Sequence, residues 1–296
     1  MANDFGDLDK MTVVSQLIVD ALQKKLIPIN FALDATQDVA NFGDAVTVHL
    51  YENENPNAVE TLNGDEDSDT GTTDVNLTPV TVTLNKRASD GFDLSELVLQ
   101  RSPAKDLVTK FAGKKIHQLA KGVLLDVYTQ ITSGNFAAEV DASGGYDWEF
   151  HAETILKKCY DMDLDPAAVQ VVLSNKCYSE LVASIPTLAG IDKTSVLESG
   201  VIESVGGTKI VRSPLTPVQA PNGFVATRDA LAAAWRPLPA LNNNISYGES
   251  LVAQSENGIA LRVRRYQNPE TGLIAVRMDS IYGRSAFNGD ALFRLM

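Results

Sequence analysis

The chain has 296 residues, 44% of them hydrophobic and 21% charged, proportions that exclude a disordered chain and fit a globular protein with a sizeable core. Its net charge of -13 argues against a surface built to grip nucleic acid, because phosphate binding draws on clustered lysine and arginine. No apolar run approaches the roughly 20 residues needed to cross a bilayer, and the opening MANDFGDLDK lacks the basic-then-apolar order of a secretion signal, so synthesis in a cytosol is expected.

Leu8, Met11, Val14, Leu17, Ile18, Leu22 and Leu26 recur at three- and four-residue spacing and predict an amphipathic helix closed by Pro28, with an extended piece over 29–33. Such a leading element either folds back on its own domain or reaches onto a neighbour, and the sequence leaves both open. Val46, Val48 and Leu50 then alternate with Thr47, His49 and Tyr51, and their expected strand partner is 80–84, where Val80, Val82 and Leu84 alternate with Thr81 and Thr83. Between the two runs lies an acidic excursion carrying Glu52, Glu54, Glu60, Asp65, Glu66, Asp67, Asp69 and Asp74, with no lysine or arginine before Lys86. A lone two-stranded ribbon is marginal, so this segment is expected to be either a disordered flap or covered by another surface.

Residues 93–100 read as a short helix entering a much longer one over 103–132. There Leu107, Val108, Phe111, Ile116, Leu119, Val123, Val127 and Ile131 form one apolar stripe, with lysines and glutamines largely between them. Ser102 suits the N-cap and Pro103 the first helical position. Gly113 and Gly122 each cost up to about 1 kcal/mol against alanine, so packing must hold this helix.

After a break at Ser143, Gly144 and Gly145, residues 148–162 read as a helix with Ile155, Leu156, Cys159 and Tyr160 available for burial. Residues 169–173 read as a buried strand and 176–184 as a helix, which together suggest a mixed α/β lobe. Gly206 and Gly207 separate two short strands at the spacing of a tight hairpin, and Pro214, Pro217 and Pro221 end that unit. Residues 224–226 lead into an expected alanine-rich helix over 229–234, stopped by Pro237 and Pro239. Strands over 259–266 and 273–280 close the chain around a turn at 268–272. Arg262, Arg264 and Arg265 form a basic patch on the first of these, either a solvated strand face or a contact for an acidic partner such as the 52–74 excursion of an adjacent copy.

A search for chemistry finds little. The run DEDSDTG over 65–71 has three alternating aspartates like a calcium loop, but Gly71 falls one place late, the twelfth position is Asn76, and strands flank it. GIDKT over 190–194 ends like a phosphate loop, yet Asp192 precedes the lysine and the upstream glycine is missing. No GxSxG, HExxH or GxGxxG occurs, and His49, His117 and His151 lie in unrelated segments. Cys159 and Cys177 read as two buried thiols in a reducing compartment, and Trp148 and Trp235 as core anchors. No catalytic, metal or cofactor set emerges, and no cofactor is expected.

The succession of parts resembles the tailed-bacteriophage major capsid protein of the Hong Kong ninety-seven type. A hairpin opens at FGDAVTVHLY and closes at LTPVTVTLNK. The lobe carries GVIESVGGTKIVRSPLTP, and the chain closes with YQNPETGLIAVRMDSIYGRSAFNGDALFRL. The resemblance implies an α+β fold with an N-terminal arm (1–45), an extended loop (46–98), a peripheral domain with a spine helix (99–147 and 242–296) and an axial α/β domain (148–241). It implies a structural protein and not an enzyme, self-assembling into hexamers and pentamers of an icosahedral head. Packaged double-stranded DNA would lie nearby without sequence-specific binding, and no membrane would be involved. The subunit would be made in the bacterial cytoplasm and reside in the virion, with portal and decoration proteins as further partners and scaffolding separate or absent. Arm and loop would be covered by neighbouring copies, with Glu52, Glu54, Glu60, Asp65, Glu66, Asp67, Asp69, Asp74, Arg262, Arg264 and Arg265 as candidate contacts. The rivals are an encapsulin-like bacterial shell, a soluble α/β enzyme whose acidic loop is a lid, and a calcium-dependent surface module.

Overall fold

The longest apolar stripe in the sequence forms the longest helix, Ala104–Tyr128, about 37 Å from end to end at about 1.5 Å per residue. The structure, a computed structural model, describes residues 18–29, 32–35, 45–52, 76–94, 104–185, 201–238, 248–254, 259–267 and 271–296. Ile116, Leu119, Ala120, Val123, Leu124, Val127 and Tyr128 line the buried face of this helix. It stops short of the expected Thr132 because Thr129, Gln130 and Ile131 donate to carbonyls three residues back, which tightens the last turn.

The strands are, in order, β1 (Leu33–Asp34), β2 (Ala45–Glu52), β3 (Asn76–Thr83), β4 (Lys86–Leu94), β5 (Glu139–Val140), β6 (Gln170–Leu173) and β7 (Val201–Val205). There follow β8 (Thr208–Arg212), β9 (Gly223–Ala226), β10 (Leu231–Pro237), β11 (Gly248–Gln254), β12 (Ala260–Gln267), β13 (Ile274–Ala286) and β14 (Leu292–Leu295). They make two six-stranded sheets and the β2–β3 ribbon.

The first sheet is built around β13. Its residues 274–282 pair with β4, while 274–279 also pair with β12 and 280–286 with β10. A strand has two edges, so β10 and β12 share one and β4 takes the other. The long helix packs on one face through a core that includes Phe92, Val263, Val276 and Met278. Asp126 of the helix fixes the contact. Its carboxylate accepts from the Tyr282 hydroxyl at 3.0 Å and from Arg284 Nη2 at 2.7 Å, and Lys115 reaches Asp90 of β4 at 3.2 Å.

The second sheet, in order β5-β14-β9-β6-β8-β7, carries the lobe. It is mixed as expected, with β6 parallel to β8 and antiparallel to β9. The helix Asn175–Ser184 begins at Ser174, whose hydroxyl accepts from the Cys177 amide, and buries Cys177, Tyr178, Leu181 and Val182. Gly206 and Gly207 adopt φ of +59° and +91° in the β7–β8 turn, a conformation that admits glycine at little cost.

Several expectations are corrected. Residues 229–234 are not a helix: 229 and 230 are a turn and β10 takes up 231–234, because Ala232 and Ala234 are small enough for the base of the ribbon to pack on them, and tertiary contact overrides alanine's helical preference. Asp93 and Leu94 belong to β4 and do not start a helix; the rest of that expected helix, 95–100, lies outside the described residues. Ile29, expected to open an extended piece over 29–33, instead closes a short 3₁₀ turn at Ile27–Ile29, and Leu33 begins β1, parallel to β10. Tyr160 is exposed rather than buried, pointing away from the lobe helix at 148–161, which contains a π-turn over His151–Ile155.

The described part of the leading element, from residue 18 on, has its cover at home, and Leu8, Met11, Val14 and Leu17 lie outside the described residues. Ile18, Val19, Leu22, Leu26 and Ile29 lie in the same core as the long helix, and Gln170 Nε2 donates to the Ile27 carbonyl at 3.2 Å, so residues 18–29 need no neighbour to bury them. β10 lies in the sheet of the returning strands, and β5 and β14 lie in the lobe sheet.

Candidate functional site

The ribbon is the one sheet of only two strands among those described. Its register, Val46 opposite Val82 and Val48 opposite Val80, places alternate valines on one face, as the alternating sequence predicts. Val46, Val82 and Leu84 are buried against Ala232, Ala234 and Phe287 on the face of the first sheet opposite the long helix. Thr47, His49, Pro79 and Thr81 on the other face are exposed. A β-carbon at Gly283 would lie 2.5 Å from the Thr83 carbonyl oxygen, so glycine there lets the root of the ribbon cross β13 in contact with its backbone. Glu52 ends β2 opposite Asn76. Glu54, Glu60, Asp65, Glu66, Asp67, Asp69 and Asp74 lie outside the described residues, as do the calcium-like run 65–71 and GIDKT at 190–194.

Strand alternation puts Arg262 and Arg264 of β12 beside Asp279 of β13. The Asp279 carboxylate is fully buried and meets Arg262 at 2.6 Å, Arg264 at 3.1 Å and, from β4, Arg87 at 3.7 Å. Next to them Arg277 pairs with Asp93 at 3.0 Å. Arg262 is 6% exposed, so it is no part of a solvated strand face. Its charge and that of Arg264 are engaged within the chain, because a buried guanidinium is tolerated only with a partner. Arg265 points from the other side of β12 and is half-buried. Sequence reasoning found the arginines and missed Asp279, whose pairing partner is set by strand register and not by local pattern.

The residues singled out for chemistry lie apart. His49 is exposed on the ribbon and His117 on the long helix. His151 is buried, its Nδ1 2.8 Å from the Tyr146 hydroxyl and its Nε2 3.0 Å from the Thr208 hydroxyl, a tie between the helix at 148–161 and β8. Cys159 and Cys177 are buried free thiols as expected, and burial pushes Cys159 up to about 11 and Cys177 upward too, away from the nucleophilic thiolate. Trp235 stacks on Tyr282 with centroids 5.0 Å apart, the core anchor expected of it. Among the described residues no three His, Cys, Asp or Glu side chains gather as metal ligands, and no helix is long and apolar enough to cross a membrane.

Neither a family model nor a curated protein matches the sequence. Solved structures match the fold over nearly the whole chain. The virus-like particle of Pyrococcus furiosus is 12% identical with a TM-score of 0.55, covering 96% of this chain and 98% of that one. The capsid of a native GTA particle is 15% identical with a TM-score of 0.55 over 92% and 89%. The capsid of the cyanophage P-SCSP1u is 9% identical with a TM-score of 0.54 over 90% and 86%. The chain thus has the α+β fold of these particle-forming proteins.

Proposed function

We propose that this chain is a capsid subunit, a structural protein whose copies assemble into hexamers and pentamers of an icosahedral head enclosing double-stranded DNA. The observation that carries the reading is the likeness of fold, which spans nine-tenths or more of this chain and nearly as much of each capsid or particle protein. The β2–β3 ribbon supports it. Its root is anchored on β13, yet its outer strand edges pair with nothing described, a form that gains stability when a second surface covers it. Obligate interfaces bury about 2,000–5,000 Å², ample for that purpose.

In this reading residues 45–83 and the acidic run within them reach a neighbouring copy, and residues before 18 form the arm. The first sheet and long helix are the peripheral body, and the second sheet is the lobe at the capsomer axis. Portal, decoration and scaffolding proteins would complete the head. Electron microscopy of the purified protein, alone and with the products of neighbouring genes, tests the reading: capsomers or closed shells are expected, and a monomer under every assembly condition overturns it. The likeness to the Pyrococcus furiosus virus-like particle favours a second reading, a shell without a genome. Nuclease-protected double-stranded DNA inside purified particles separates the two.

A further inference from the structure

Positive charge is unevenly spread on this acidic chain. A groove of about 580 Å³ runs between the end of the leading helix, the long helix, the end of β8 and the first turn of the helix Asn175–Ser184. Lys24, Lys25, Lys121 and Arg212 line it, and among the described residues no aspartate or glutamate does. All four are exposed, and none forms an ion pair with a described carboxylate. Asn175 adds a neutral amide at the amino end of its helix, where the backbone dipole favours an anion. Four cations from three elements, none paired with a carboxylate among the described residues, gather in one groove of a chain with net charge -13.

We propose that this groove binds the phosphate backbone of double-stranded nucleic acid without reading its sequence. The inference deepens the shell reading and rests on it, assigning the place where a subunit touches its packaged DNA. Net charge acts at long range and is screened beyond about 8–10 Å at physiological salt, so the local cations decide at contact. Lysines suit this role, since each neutralises a phosphate as a compact point charge and releases its counterion. Floor residues such as Leu124 and Leu215 carry no base-reading groups, which fits contact with backbone alone.

The test is fluorescence anisotropy of a labelled 20-base-pair duplex with the unassembled full chain. Four contacts predict a roughly 100-fold loss of affinity between 50 and 200 mM salt. Lys121→Glu with Arg212→Glu should weaken binding at least tenfold and lower the salt slope by about 2. Lys157→Glu with Lys209→Glu makes the same charge change outside the groove and should leave binding near wild type. Equal losses in both double variants, or no duplex binding at 50 mM salt, would overturn the proposal. Micrographs of the same preparations read the shell proposal separately: particles without groove-dependent DNA affinity sink this inference alone, and absence of particles sinks the shell.

Discussion

Replacing Asp279 with alanine should strongly destabilise the first sheet. The carboxylate is fully buried and holds Arg262, whose side chain is 7% exposed, at 2.6 Å. Removing the carboxylate of such a pair leaves a buried cation short of its counter-charge, at a cost of about 3–5 kcal/mol. Arg264, 23% exposed, can recover part of its hydration, and Arg87, more than half exposed, should contribute under about 1 kcal/mol. The expected loss is therefore about 3–4 kcal/mol, a large share of the roughly 5–15 kcal/mol that holds a typical domain. Urea unfolding of the unassembled protein measures it, followed by the fluorescence of Trp235, which sits in the same sheet. Adding Arg262→Met to Asp279→Ala should restore part of the loss, because the stranded charge is gone. A midpoint change worth less than about 1 kcal/mol for Asp279→Ala, or a double variant less stable than the single, would refute the reasoning.

Gly283→Val should force the ribbon root away from β13, costing about 1–3 kcal/mol by overpacking and reducing capsomer yield; wild-type yield in sedimentation would show that the crossing does not position the ribbon. Gly113→Ala meets no atom within 4 Å and should stabilise the long helix by up to about 1 kcal/mol, read as a raised thermal midpoint, with a lowered midpoint counting against it. Burial lifts Cys159 from the ordinary 9.0 to about 11, so the folded chain keeps a proton that the unfolded chain releases. That stability is whole below pH 9 and fades as pH rises through about 11, and Tyr128, Tyr146 and Tyr282, also raised by burial, push the same way. Urea midpoints should fall from pH 8 to pH 10.5; a constant midpoint contradicts it. Asp67→Lys with Asp69→Lys should abolish shells while leaving the monomer's unfolding unchanged; shells of normal yield would remove the acidic run from the interface.

Where local pattern and tertiary demand agreed, the elements were legible. The stripe from Ile116 to Val127, the valine alternation of the ribbon, the continuous apolar run of β6 and the Gly206–Gly207 turn each carry their own period or turn chemistry. β4 was missed because KRASDGFDL has neither alternation nor strand preference, and it is a strand because β13 offers it an edge. The candidate site divided in the same way: the acidic run and the three arginines were visible in the sequence, whereas Asp279 was not.

By itself, the amino-acid order determined periodicity, composition and sign of charge, which are properties of neighbours along the chain. Only the folded molecule decided that an alanine-rich stretch is a strand, because the ribbon root needs small side chains beneath it. It also decided that two of the three basic strand residues spend their charge on a carboxylate of the adjacent strand, and that residues 18–29 lie in the chain's own core. Partner identity across a sheet or between helices depends on register and crossing, which bring together residues far apart in the chain, and no local window contains that information.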